Sequence, residues 1–277
     1  MIQLIADSGA TSTEWRVLDG SSLKAVRTEG VSPVQIKPAK IKTIISKEVL
    51  PVAGADVDKI WFYGAGVVGD MKETLAEILQ KIFPKAEVAV ESDMLAACRA
   101  LFGSNAGIAC ILGTGSNCCF WDGQAISASS HAGGFILGDE GSGAYMGKRL
   151  LADYVKDLVP NSLANEMQRR FNLSYEEIVR RVYHEEAPGR YLAGFSPYIA
   201  ERRNHPYMKN LISESLEEFI FRNVVRFDPR RYQVGFVGSV AEAYQDVISQ
   251  KFRNAGFKLG PLLASPIDGL VKYHSQQ

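Results

Sequence analysis

Two stretches of this chain follow one plan. Ile2–Ala6 is a short apolar run suited to a buried strand. It leads into the polar turn Asp7-Ser8-Gly9-Ala10-Thr11-Ser12-Thr13, an alternating strand over Glu14–Leu18 and the hairpin signal Asp19-Gly20. Gly107–Leu112 is again apolar. It runs into Gly113-Thr114-Gly115-Ser116-Asn117, a strand at Cys118–Trp121 and a second hairpin signal, Asp122-Gly123. A chain that repeats strand, glycine/threonine turn, strand and Asp-Gly turn reads as two lobes of related topology, each presenting a turn to a common cleft. The boundary falls near Gly103–Gly107, giving one domain over 1–105 and another over 106–277, with the last helix free to pack back on the first.

The remaining elements agree with an α/β chain. Leu23–Thr28, Lys59–Tyr63 and Glu87–Val90 read as strands, and Pro38–Leu50, Met71–Phe83 and Met94–Phe102 as helices with apolar residues at helical spacing. Beyond Gly143 the pattern is mostly helical: Ala144–Leu158, Ser162–Phe171, Ser174–Tyr183 and a long helix over about Pro206–Phe227. Gln233–Val237 is a strand entering Gly238-Ser239. A helix at Ala241–Arg253, a strand at Lys258–Leu263 and a helix at Pro266–His274 close the chain.

Composition narrows the function. Lys+Arg and Asp+Glu both number 31, so there is no excess of base for a broad nucleic-acid surface. The four cysteines (Cys98, Cys110, Cys118, Cys119) show no C-x-x-C spacing, which reads as buried reduced thiols rather than a zinc site. No window reaches the ~18 apolar residues of a membrane span, and no secretory leader precedes the first strand, so a cytoplasmic protein is expected.

Five places could carry chemistry. Asp7–Thr13 can cradle phosphate oxygens with backbone N–H groups and hydroxyls, Asp7 holding Mg²⁺ through water; a plain polar hairpin reads equally well. Leu112–Asn117 is a second such turn. Asp93 opens a helix, either as an N-cap or as a general base for an attacking hydroxyl. Gly133–Gly147 contains six glycines around the pair Asp139-Glu140. A helix cap would explain one of those acids, but hardly that many glycines. Gly235–Ser239 ends a strand and opens a helix, a common place for a nucleotide. No Gly-x-x-x-x-Gly-Lys-Ser/Thr loop occurs.

In this order the motifs resemble those of the sugar kinase/Hsp70/actin ATPase superfamily. More closely, the chain is similar to N-acetylglucosamine kinases, in the group that also holds the ATPase activators of acyl-CoA dehydratases. The matching motifs run from Asp7 to Gly238. The resemblance implies an actin-like ATPase fold: two ribonuclease H-like α/β lobes, each around a five-stranded mixed sheet, with an interlobe cleft for ATP and sugar. It places Asp93 as catalytic base and Asp7 near Mg²⁺. Gly9, Thr11, Gly113 and Thr114 fall at the ATP phosphates, and Gly238 beside the adenosine. Asn117, Gly134 and Asp139 fall on the sugar. It implies a small-molecule sugar substrate and is compatible with a homodimer, the oligomeric state staying open, while charge and hydropathy leave neither nucleic acid nor membrane as an expected partner. The chain departs from the family where Phe135 replaces a Trp in a loop shorter by about two residues, where Ser32 stands in place of a sugar-contacting Asn, and where Gly238-Ser239 replaces Gly-Gly.

Overall fold

The computed structural model describes residues 1–9, 12–32, 36–67 and 69–276. The chain forms two compact units, Met1–Asn105 with Asp122–Ile126 and Ser265–Gln277, and Ala106–Trp121 with Ser127–Ala264.

In the first unit β1 (Ile2–Ser8), β2 (Ser12–Asp19) and β3 (Ser22–Glu29) form an antiparallel meander. Helix α1 (Pro38–Ile44) passes through a π-turn at Ile45–Val49 into α2 (Leu50–Ala53). Then come β4 (Lys59–Gly64), α3 (Asp70–Ile82), β5 (Glu87–Ser92) and α4 (Asp93–Phe102). The sheet order is β3-β2-β1-β4-β5, with β4 parallel to both β1 and β5. Both faces of β1 are covered. Leu4 and Ala6 enter a core with Trp15, Ile41, Phe62 and Leu79, while Ile5 enters a second with Tyr63, Ala96 and Leu270. Cover on both sides is why β1 reads as an unbroken apolar run instead of an alternating one.

In the second unit β6 (Gly107–Leu112), β7 (Ser116–Trp121) and β8 (Ile126–Ser129) open the sheet. A helical stretch follows: α5 (Gly134–Leu137), α6 (Gly143–Tyr154), α7 (Asn161–Phe171), α8 (Tyr175–Tyr183), α9 (Pro188–Ala193), α10 (Ser196–Glu201) and α11 (Pro206–Phe219). After a π-turn at Ile220–Val224 come β9 (Val234–Val237), α12 (Ser239–Ala243), α13 (Gln245–Ala255) and β10 (Leu259–Leu263). The sheet order β10-β9-β6-β7-β8 repeats the first in reverse listing. Again the central strand pairs antiparallel with its successor and parallel with the strand on its other side. The chain then returns to the first unit with α14 (Ile267–His274). There a Cβ on Gly269 would lie 2.7 Å from Ala100 Cβ, so α14 crosses α4 almost backbone to backbone. Tyr63 OH bonds His274 Nε2 at 2.9 Å and accepts from Arg99 Nη1 at 2.6 Å, tying α14 to β4 as well.

The structure differs from the sequence expectations mainly inside helices. The expected helix over 38–50 is interrupted by its π-turn just before Pro51, which has no N–H to continue the regular ladder. The long helix after Pro206 also widens into a π-turn and a short 3₁₀ turn. Helices α9 and α10 were hidden by Pro188 and Pro197. Both read as breakers, yet each sits in the first turn, where proline is tolerated.

Helix α6 meets α9 at Gly147, where a Cβ would stand 1.9 Å from Leu192 O. Gly147→Ala must separate the two backbones. It is expected to destabilise the protein by about 2–3 kcal/mol, read by chemical denaturation; an unchanged midpoint would show that the helices move apart without loss.

Candidate active site

The acids of the first unit come first. Strands β1 and β2 pair Asp7 directly opposite Glu14. Ser265, just before α14, offers one hydroxyl proton to both, at 3.1 Å from Glu14 Oε2 and 3.5 Å from Asp7 Oδ2. The shorter bond, to Glu14, is the stronger. Burial, then the charges of Asp93 and Glu14, pushes the Asp7 carboxyl up to about 7, against the Ser265 hydrogen bond.

Asp93 stands at the first position of α4, but it does not cap the helix. That task belongs to Ser92, whose Oγ accepts the Leu95 N–H at 3.2 Å. The Asp93 carboxylate accepts the Met94 N–H at 2.8 Å, and burial pushes it up to about 6. Part of the residue remains open to solvent. A partly enclosed carboxylate with a raised pKa is suited to accept a proton near neutral pH.

The turn after β1 is only partly a ligand cradle. Gly9 is exposed, its N–H bonded to Ser12 O at 3.0 Å. The Ser8 and Thr13 hydroxyls face inward, 2.7 Å from each other, and Thr13 Oγ1 accepts the Val31 N–H at 2.8 Å. They fasten the segment carrying Ser32, which is buried. Thr11 lies outside the described residues, as do Ala10 and Pro33.

No cluster of three or more Asp, Glu, His or Cys among the described residues is placed to hold a metal ion. The acid set does suit Mg²⁺ in another way. Asp7, Glu14 and Asp93 concentrate negative charge, and Arg16, 3.9 Å from Glu14, is the cation paired with it. A Mg²⁺ kept mainly by water and phosphate oxygens, with Asp7 as anchor, would relieve that excess.

In the second unit three turns are bonded together. Gly113 O and Thr114 O accept the Gly143 and Ala144 N–H groups, at 2.9 and 3.0 Å, so the turn after β6 satisfies the start of α6 alongside its cap, Ser142. Asp139 accepts the Ser116 N–H at 3.1 Å, and its carboxylate lies so close to Gly115 that a Cβ there would be 3.1 Å away. After β9, Gly238 (φ 124°) would place a Cβ 2.2 Å from Leu112 O. Only glycine allows that approach between the two strand ends. The Asn117 side chain accepts the Cys118 N–H at 2.9 Å, and its Nδ2 has no partner among the described residues.

The acid pair divides its work. Asp139 sits in the left-handed region (φ 56°), uncommon for a residue with a Cβ. Burial raises its pKa, opposed by the Ser116 N–H, with Glu140 raising and Lys148 lowering it further. Glu140 turns away to Asn223 Nδ2 at 3.2 Å, on the π-turn after α11. Neither acid caps α6. Gly134 follows Gly133, both with positive φ, into the single turn of α5.

Two features had no clear signal in the sequence. Lys148 donates to Phe135 O at 2.7 Å and lies 3.5 Å from Ile136 O, holding the carbonyl end of α5 from one turn into α6. A groove of about 230 Å³ lies between the Gly113-Thr114 turn and Ser239, closed on its other side by α10. Both depend on helices folding back, which local pattern does not reveal.

If Lys148 pins the glycine loop, Lys148→Met should speed hydrogen–deuterium exchange of the Gly138 and Asp139 amides by about tenfold, the equivalent of one modest hydrogen bond. Unchanged protection would show that the loop holds itself.

Comparison of the sequence with protein-family models and with curated proteins returns no match. Solved structures do match. A candidate N-acetylglucosamine kinase of Porphyromonas gingivalis is 38% identical, with 99% of each chain covered and a TM-score of 0.93. A candidate N-acetylglucosamine kinase of Chromobacterium violaceum shares the fold at TM-score 0.78, with 17% identity over 98% of each chain. A glucokinase of Balamuthia mandrillaris, bound to glucose, shares it more distantly, at TM-score 0.51 and 12% identity over 98% of this chain and 93% of that one. The two repeated five-stranded sheets are those of the actin-like ATPase fold. Given the identity to the Porphyromonas protein across both chains, this protein belongs to the N-acetylglucosamine kinase-like family of the sugar kinase/Hsp70/actin ATPase superfamily.

Proposed function

We propose that the protein is an ATP-dependent sugar kinase that phosphorylates the 6-hydroxyl of N-acetylglucosamine or a close amino sugar. The observation that carries this reading is Asp93: relieved of capping by Ser92, partly enclosed, and raised to about 6. Membership of the family and the glucose bound to the distant glucokinase support it.

Phosphoryl transfer asks the protein for positioning and charge stabilisation more than for covalent chemistry. Asp93 accepts the proton of the attacking hydroxyl and orients its oxygen. Asn117 offers its unpartnered Nδ2 to the sugar, and Asp139 offers its second oxygen, Oδ1 being held by Ser116. Gly134 lets the backbone approach the ring. Thr11 and Thr114 offer polar groups to the phosphate oxygens, Gly9 and Gly113 let the turns approach them while their own N–H groups stay bonded to Ser12 O and Gly115 O, and Gly238 leaves room beside the adenosine. Mg²⁺, when bound near Asp7, neutralises phosphate charge. Iron–sulfur chemistry of the activator ATPases has less support, since Cys118 and Cys119 are buried within β7.

A coupled ADP-release assay over glucose, glucosamine, N-acetylglucosamine and N-acetylmannosamine tests the activity; silence with every sugar would dismiss it. Asp93→Asn should lower kcat by at least about a hundredfold. The wild-type rate should fall below pH 6, as Asp93 takes up its proton.

The fold control has a definite sign. Because the folded pKa is raised, the native state holds this proton more tightly than the unfolded chain between about 4 and 6, so its contribution to stability falls as pH rises through that window. Asp93→Asn should therefore melt no lower than wild type at pH 8. A low-melting variant would make its lost activity uninformative about the base, and near wild-type turnover would refute the assignment.

Asp139→Ala should raise the sugar KM about ten- to a hundredfold, as expected for losing a hydrogen bond to a charged group, and leave the ATP KM little changed. An unaltered sugar KM would leave Asp139 with only its structural bond to Ser116.

A further inference from the structure

The groove beside the Gly113-Thr114 turn is lined by no side chain with a fixed donor or acceptor that would favour one nucleobase. Its walls beyond the turn are Ala193, Pro197, Ala200, Val240 and Ala243, and its side-chain polar groups there are the hydroxyls of Ser196 and Ser239. No carboxylate, amide, ammonium, guanidinium or imidazole lines it among the described residues. Several backbone acceptors along it are already engaged. Ala243 O accepts from Arg203 Nη1 at 2.8 Å, and Ala200 O from the Arg203 N–H at 3.3 Å. Gly113 O and Thr114 O are held by the start of α6.

Adenine and guanine differ most sharply at position 6, where one carries an amino donor and the other a carbonyl acceptor. A fixed amide or carboxylate matched to one base leaves a desolvated polar group unpaired against the other, at about 1–3 kcal/mol. Sites of that kind discriminate strongly, whereas apolar pockets discriminate weakly. A serine hydroxyl rotates to donate or accept and so suits either base.

We propose that this groove takes a purine base by apolar contact without distinguishing adenine from guanine. The phosphoryl donor is then a purine nucleoside triphosphate as a class, not ATP alone. The inference rests on reading the groove as the nucleotide site of the proposed kinase.

Calorimetric titration of the wild-type protein with ADP, GDP and IDP, each with Mg²⁺, needs neither sugar nor turnover. The three dissociation constants are expected to agree within about tenfold, the low end of the discrimination apolar pockets show. A preference beyond tenfold for one base overturns the proposal, and so does failure of all three to bind. The kinase reading fails by a different result: the three nucleotides bind alike, yet ATP phosphorylates no sugar.

Discussion

The Asp139 carboxylate holds the second unit's polar surface together. It faces Gly115 so closely that a side chain there would crowd it, and it takes the Ser116 N–H. Through it the glycine-rich loop is joined to the turn after β6. That turn in turn supplies the carbonyls that receive the first N–H groups of α6, and its strand lies against Gly238. Three segments far apart in sequence thus depend on one half-buried carboxylate and two close backbone approaches. The left-handed conformation of Asp139 is the local strain this arrangement requires, and the hydrogen bonds around it hold that strain in place.

The first unit concentrates its tension in charge. Burial and the charges of Asp93 and Glu14 raise the Asp7 carboxyl, the Ser265 hydroxyl opposes that rise, and Arg16 lies 3.9 Å from Glu14. A structural role would favour fewer such carboxylates, since partial burial disfavours the ionised forms of Asp7 and Asp93. The proposed Mg²⁺ and substrate hydroxyl would complete the set. Ser265 also gives the final segment a part in this: α14 is fastened to α4 and β4, and Ser265, two residues before it, touches both acids of the β1–β2 pair.

Much of this was legible in the sequence. Strand positions followed from apolar runs ended by glycine or Asp-Gly, because β1 and β6 are covered on both faces and must be apolar throughout. The repeated plan gave the matching topology of the two sheets. Harder to read were features set by tertiary contact. Pro188 and Pro197 look like breakers until each is seen to open a helix. Ser92 and Ser142 act as the caps, although the neighbouring acids Asp93, Asp139 and Glu140 seemed equally fit. Nothing local distinguishes the inward-facing Thr13 from a phosphate-binding hydroxyl, because the distinction is made by Val31, eighteen residues away. Lys148 and the groove beside Ser239 depend on helices returning to the sheet.

The separation of Asp139 from Glu140 bears on how this loop could change its ligand. Glu140 is anchored to Asn223 on a π-turn, and Lys148 fixes the carbonyls of Phe135 and Ile136, so both ends of the loop are held by groups outside it. Phe135, at the position where the family usually carries Trp, packs against the helical core of the unit. Between these anchors lie Leu137, whose side chain is exposed, Gly138 and Asp139, while Gly133 and Gly134 lead into Phe135, so the three glycines contribute shape and no side chain. A shorter loop held at both ends alters the space above Asp139 without moving Asp139 itself, whose place is set by Ser116 and Gly115. On the proposed sugar-binding role of Asp139, recognition of the sugar's common hydroxyls would persist while tolerance for its substituents shifts, which would place substrate choice in the loop's backbone path more than in its acids.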